Sequence, residues 1–296
     1  MGSAAILAFA AHAASLQQAL DQAVADTVLE FAPTQLKPEQ LAVTVRVIRN
    51  GQEEKAGFRG NVPIYPASVI KLFYLVAAHR WMEDQKLKDT PELRRAMHDM
   101  IVDSSNDATH YVLDALTETV SGPELPSAEM ALWAENRNSV NRFFAHQGFQ
   151  GVNANQKPWG DGPYGRDRQF VGETFTNRNM LTTESTARLL SEIVSGKSIT
   201  EKRSGEMMDL LLRDPFSKPQ DPDDQAHGFT GIALKPGAKL WSKAGWTSTT
   251  RHDAACVEFP GGTQVILVIF TVGHAKERSL LPALASRLLN GLENAP

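Results

Sequence analysis

Ser68 and Lys71 stand three residues apart at the head of an apolar run, Tyr65-Pro-Ala-Ser-Val-Ile-Lys-Leu-Phe-Tyr-Leu75. On a helix, positions i and i+3 share a face, so the amine lies within reach of the hydroxyl. A serine hydroxyl is a weak nucleophile at neutral pH, and an amine whose pKa burial has lowered can take its proton. N–H groups at a helix start can hold an oxyanion. Taken alone, the pair reads more readily as a helix-capping serine with a snorkelling lysine. Asp103-Ser104-Ser105-Asn106-Asp107 offers a hydroxyl and an amide two apart, suited to proton relay and to holding a substrate carbonyl. By itself it is equally a capped turn between helices. Lys243-Ala244-Gly245 adds positive charge and a residue without Cβ, where substrate can approach a strand edge closely and pair with it. Alone, it is a strand-end lysine with a turn glycine.

These residues need a frame to bring them together. Residues 16–31 carry apolar residues at helical spacing, and residues 41–48 are β-branched and strand-like. A turn at 49–52 leads to a second strand near 54–60. Helical patterning runs from the Ser68 segment to about 86, then over 91–117, 128–147, 182–195 and 200–213. Residues 148–178 form a long loop rich in Gly, Asn, Pro and aromatics, which we expect to be ordered because its aromatics need cover. Residues 215–236 are polar and Pro-rich. Strands are expected at 239–245, 253–259 and 263–271, the last two joined by Pro260-Gly261-Gly262, before a terminal helix at 277–292. Strands at both ends and helices between them predict an α/β (α+β) fold. Its antiparallel sheet of about five strands draws on both termini and is flanked by helices, with an all-helical domain inserted. The expected domains are 16–68 with 231–294, and 69–230.

The three elements, in this order and context, resemble the class A serine β-lactamases and the related penicillin-binding proteins, whose set is S-x-x-K, S-D-N and K-T-G. The resemblance covers nearly the whole chain. It implies that Ser68 is the acylated nucleophile and Lys71 its base, directly or through a water. Ser104 would relay the proton to the leaving nitrogen, Asn106 would hold a substrate amide, and Lys243 would tune Ser104 and attract a carboxylate. The backbone N–H groups of Ser68 and Trp246 would form the oxyanion hole beside Gly245, and Arg251 would meet the substrate carboxylate. The implied substrate is a small β-lactam or a peptidoglycan-like peptide, taken by a monomer without cofactor. The implied activity is a serine hydrolase acting on cyclic or peptide amides, or else a D,D-peptidase or penicillin-binding sensor that deacylates slowly.

The sequence departs from the family pattern in three places. Ser105 replaces Asp in the second element, and Ala244 replaces Thr or Ser in the third, which removes a hydroxyl for the carboxylate; Thr247 or Ser248 would have to substitute. Only 36 positions separate Ser68 from Ser104, so the site should be more open. The long loop also lacks the family's Glu-x-x-Leu-Asn segment, whose Glu activates the deacylating water. By residue type Glu173 is the best replacement, ahead of Asp161 and Asp167. All three read more readily as solvated carboxylates or partners of Arg166, Arg168 or Arg178.

Composition narrows the alternatives. The net charge of −4 argues against a general nucleic-acid binder. A single cysteine, Cys256, excludes an intramolecular disulfide. His252-Asp253 is the nearest approach to metal-ligand spacing, and no metal is expected. Residues 4–15 are apolar but too short to span a bilayer, and Ala11-His12-Ala13 resembles a signal-peptide cleavage site. Residues 1–15 are therefore expected to be a signal remnant or an appended segment, on an exported (periplasmic or extracellular) protein, with an ordinary Ala-rich helix start as the alternative.

Overall fold

The computed structural model describes residues 2–219, 221 and 223–293, and the side chains from residue 16 onward. A six-stranded antiparallel sheet carries the fold, in the order β2-β1-β6-β5-β4-β3. Its strands are β1 (Leu41–Arg49), β2 (Gln52–Phe58), β3 (Leu212–Arg213), β4 (Lys239–Trp246), β5 (Thr250–Glu258) and β6 (Gln264–Val272). The N-terminal hairpin docks on the C-terminal one through the β1–β6 pairing, Leu41 opposite Thr271. The sixth strand was not foreseen: β3 takes the last two residues of the helix expected over 200–213 and pairs with Leu240 and Trp241.

Alternation along the strands separates two cores. Val43, Val45, Ala255, Val257, Val265 and Leu267 face one side, against α1 (Gly2–Glu30) and α10 (Leu280–Glu293). Ala42, Ala254, Cys256, Ile266 and Val268 face the other, against the helices of the middle of the chain. Those helices are α2 (Lys71–Glu83), α3 (Pro91–Ile101), α4 (Asn106–Thr117), α5 (Ser127–Arg137), α6 (Ser139–His146), α7 (Gly165–Val171), α8 (Thr183–Val194) and α9 (Glu201–Leu211). The helix expected from residue 16 extends back to Gly2. The side chains of the cleavage-like Ala11-His12-Ala13 lie outside the described residues. No described helix is long and apolar enough to cross a membrane.

The helix α2 is the hub. Leu72, Phe73, Tyr74, Leu75, Val76, Ala77 and Ala78 are all buried, so it is apolar around its whole circumference. At about 1.5–3 kcal/mol per large buried side chain, this burial holds the helix in place whatever its capping. The cost falls on Lys71, its first residue, which is drawn out of water with the rest.

The helical stretch expected over 91–117 breaks at residues 102–105. Thr90 caps α3 by accepting from Leu93 N, and Ser105 caps α4 by accepting from Ala108 N. Between them Ser104 takes a left-handed conformation, φ +56°. The loop 148–178 is ordered, with Phe149 buried against Phe73 and Phe144 while Tyr164 is 76% exposed. Side-chain amides hold the rest. Asn179 Oδ1 accepts from the N–H groups of Asn155 and Gln156 and from Tyr74 Oη on α2. Asn155 Nδ2 donates to Asn138 and Asn177. The short helix α7 inside this loop was also not anticipated.

Candidate active site

A single turn of 3₁₀ helix, Ala67–Ile70, leads into α2 and carries Ser68 half-buried. Ala67, just before it, is left-handed at φ +47°, a conformation that costs a residue with a Cβ about 1–3 kcal/mol. Two contacts hold this turn. His252 Nε2 donates to Tyr65 O (2.9 Å) while its Nδ1 accepts from Thr271 N (3.1 Å), which fixes the neutral Nε2–H tautomer. Burial pushes the His252 pKa down to about 4, so it stays neutral at pH 7. The second contact is Gly245 on β4. A Cβ there would stand 2.7 Å from Ser68 N, 2.8 Å from Val69 N and 2.9 Å from Pro66 O. Only a glycine lets the strand lie this close to the serine, and Ser68 N is thereby set one residue from Trp246. Beyond its pairing with β3 at Leu240 and Trp241, β4 has no strand on that side among the described residues.

Two buried amines converge on Ser104. Lys71 Nζ donates to Ser104 O (2.5 Å), Asn106 Oδ1 (2.9 Å), Ser104 Oγ (3.3 Å) and Ser105 O (3.4 Å). Lys243 Nζ donates to Gln225 Oε1 (2.6 Å), Ala244 O (2.7 Å) and Ser104 Oγ (3.0 Å). Neither lysine has an ion-pair partner among the described residues. Burial lowers the Lys71 pKa to about 7. Burial, with the Lys71 charge adding to it, lowers that of Lys243 well below the ordinary lysine value. An amine near 7 is populated in both protonation states at neutral pH, which is what proton transfer requires.

The structure thus brings Lys71, Ser104, Asn106 and Lys243 into one hydrogen-bonded cluster; Ser68 packs against Gly245, and its hydroxyl hydrogen-bonds to none of the four among the described residues. Arg251 is placed elsewhere. It is 2% exposed, pairs with Asp223 (2.8 Å), donates to Gly228 O (2.7 Å) and lies over the Phe229 ring. Its guanidinium is committed to the fold rather than held open for a substrate carboxylate. Thr247, considered as a replacement for the missing hydroxyl at Ala244, is also committed: its Oγ1 accepts from the N–H groups of Thr249 and Thr250 in the β4–β5 turn. Trp246 is 39% exposed, its ring tilted against Phe229.

The loop carboxylates divide. Asp167 is buried and sits 3.5 Å from Arg137, not beside the loop arginines expected as partners. Glu173 and Asp161 are exposed. Arg168 donates to the backbone carbonyls of Gly172 and Glu173, leaving the Glu173 carboxylate out of that contact. Among the described residues none of the three hydrogen-bonds to Ser68, Lys71 or Ser104.

Gln225 was missed. It accepts from Lys243 Nζ and Ala244 N and donates to Ile101 O and Val102 O, so it ties β4 to the end of α3. Its position in a polar, irregular stretch carries no periodic signal. His98, Asp99 and Asp103 place ligand-type atoms within 4.8 Å of one another, a group not singled out from the sequence. His98 and Asp103 are exposed, and Asp99 is already shared by His98 and Arg95.

Comparison with known proteins agrees with this geometry. Residues 20–292 match the model of the β-lactamase enzyme family. No curated protein matches the chain. Among solved structures, a β-lactamase from Sphaerobacter thermophilus is 16% identical with a TM-score of 0.63, the match covering 95% of this chain and 99% of that one. A class A β-lactamase from Bacteroides cellulosilyticus is 12% identical with a TM-score of 0.66, covering 95% and 99%. PBP-A, in a variant solved as an acyl-enzyme complex with penicillin G, is 17% identical with a TM-score of 0.64, covering 95% and 97%. At these identities the structural likeness speaks for the fold, while the family match spans the sheet and all three polar elements. The chain belongs to the β-lactamase enzyme family.

Proposed function

We propose that the protein is a serine hydrolase that forms an acyl-enzyme on Ser68 and acts on β-lactam or related amide and ester bonds. The observation that carries this reading is the pair of desolvated amines without counter-ions meeting at Ser104, one of them on the first turn after Ser68. A buried amine without a counter-ion costs stability, and a purely structural site gains nothing from two. Neutral Lys71 takes the Ser68 proton as the hydroxyl attacks the carbonyl carbon. The tetrahedral oxyanion is held by the N–H groups of Ser68 and Trp246. The leaving nitrogen collects a proton through Ser104 Oγ, which the amines of Lys71 and Lys243 supply. Asn106 and the free edge of β4 hold the amide on either side of the scissile bond.

A second reading concerns turnover. The engaged Asp167, and the absence of any hydrogen bond from Asp161 or Glu173 to the lysine cluster among the described residues, favour slow deacylation. The protein would then behave as a penicillin-binding protein or D,D-peptidase of low turnover, consistent with export. Intact-mass spectrometry after addition of penicillin G tests both. We expect an adduct that maps to Ser68, disappears in Ser68→Ala, and persists for minutes or longer. An adduct that clears within seconds would support efficient hydrolysis. If no β-lactam, thioester or depsipeptide yields an adduct at Ser68, the acyl-enzyme reading fails.

A further inference from the structure

Beside Ser104 the site opens into a cleft of about 440 Å³. Asp103, Asp214, Asp221, Asp223 and Asp224 line it, against Arg213 and Lys218. Asp223 is paired with Arg251 and Arg278, and Asp224 is engaged in a hydrogen bond with His227 Nδ1. Asp103, Asp214 and Asp221 have no ion-pair partner among the described residues. Two of them are oriented by backbone groups, Asp214 accepting from Phe216 N and Asp221 from Asp223 N. Arg213 is directed into the fold, donating to the carbonyls of Ile101, Leu210 and Leu212. That leaves Lys218 as the one solvent-directed cation lining the cleft among the described residues.

Three of the positions that would hold an anion are withdrawn at the same place, while Ser248 stays exposed. Arg251 is buried against Asp223, the Ala244 methyl is buried, and the Thr247 hydroxyl closes a turn. An exposed aromatic face is present instead, the Trp246 ring. Carboxylates beside an aromatic face attract a cation through both charge and the ring quadrupole.

We propose that this cleft receives a cationic group of the substrate, an ammonium or guanidinium, seated between the Trp246 ring and the carboxylates of Asp103, Asp214 and Asp221. The inference rests on the hydrolase reading for the identity of the site and adds the charge of what the site selects.

The test uses two depsipeptide thioesters of equal length that differ only at the end, aminomethyl in one and carboxymethyl in the other. Equilibrium binding is measured to Ser68→Ala, which has no nucleophile. We expect the aminomethyl compound to bind about tenfold tighter or more. That preference should shrink toward unity in the Asp103→Asn/Asp214→Asn variant and at high ionic strength, where surface charge is screened. Equal binding, tighter binding of the carboxymethyl compound, or no binding of either overturns the proposal. Intact-mass spectrometry of the wild-type protein with the same pair separates the two readings. An adduct on Ser68 formed without charge preference overturns the cation site alone. Ammonium-selective binding with no adduct overturns the hydrolase reading and leaves the cation site standing.

Discussion

Two buried cationic clusters sit in this molecule, and they are built in opposite ways. In the helical layer Arg137 is fully buried beside Asp114 (3.3 Å) and Asp167 (3.5 Å), and Lys157 donates to Asp114 (2.6 Å) and Ser121 (2.8 Å). There, cations and carboxylates fasten the loop 148–178 to α4 and α5. At Ser104, Lys71 and Lys243 are as deeply buried but meet only carbonyl, amide and hydroxyl oxygens. Paired burial closes the fold, although burial still raises the Asp114 pKa and lowers that of Arg137. Unpaired burial makes the charged form costly, and in Lys71 it leaves an amine that can give and take protons near neutrality. The same residue types therefore read as fastening in one place and as chemistry in the other.

The largest effect expected from disturbing this contrast is on rate. Lys71→Met should slow Ser68 acylation by about 10²–10⁴-fold, the usual contribution of a positioned base, with thermal stability unchanged or raised because an unpaired buried amine is removed. Single-turnover acylation and thermal melts read the two outcomes. A large loss of stability with little loss of rate would reverse the assignment. Arg137→Met should do the opposite. It leaves Asp167 buried without its arginine and should cost about 3–5 kcal/mol in denaturant unfolding, while the folded fraction keeps its acylation rate.

Acid should act next. Burial pushes both His252 and His79 down to about 4, below the ordinary 6.5. Between those values the unfolded chain binds more protons than the folded one, so stability rises with pH across that window. It is full above about 6.5 and is lost as pH falls toward 4, by on the order of 3 kcal/mol for each histidine. Denaturant midpoints across that range should show the slope, and an Asn at either position should reduce it.

The smallest expected change is Gly245→Ala. The added methyl meets backbone atoms that cannot rotate away, and the shift should cost about 1–3 kcal/mol of stability. Because the displaced group is the Ser68 turn, acylation should fall as well. Unfolding and acylation assays on the one variant would show whether the tight β4 contact serves the site or only the packing.

Much of this was legible in sequence because it is periodic or local. The alternation of Val265-Ile-Leu-Val-Ile-Phe270, the Pro260-Gly261-Gly262 turn and the three polar elements each carry a signal within a few residues. What escaped was set by partners far along the chain. Arg251 has a residue type and a place suited to an anion, but Asp223, twenty-eight positions earlier, claims it. Asp167 sits among loop arginines and pairs instead with Arg137 on a helix. Gln225 lies in an irregular stretch and the two-residue β3 at the end of a helical one, and both take their structure from the strand they lie against.

The proposed role of Lys71 as base depends on burial having brought its amine near neutrality. The direct measurement is the pH dependence of the Ser68 acylation rate under single-turnover conditions. The rate should rise with pH through a midpoint near the Lys71 pKa of about 7, with this step absent in Lys71→Met. A rise centred near the ordinary lysine value of 10.5, or a midpoint near 7 that survives in Lys71→Met, would contradict it.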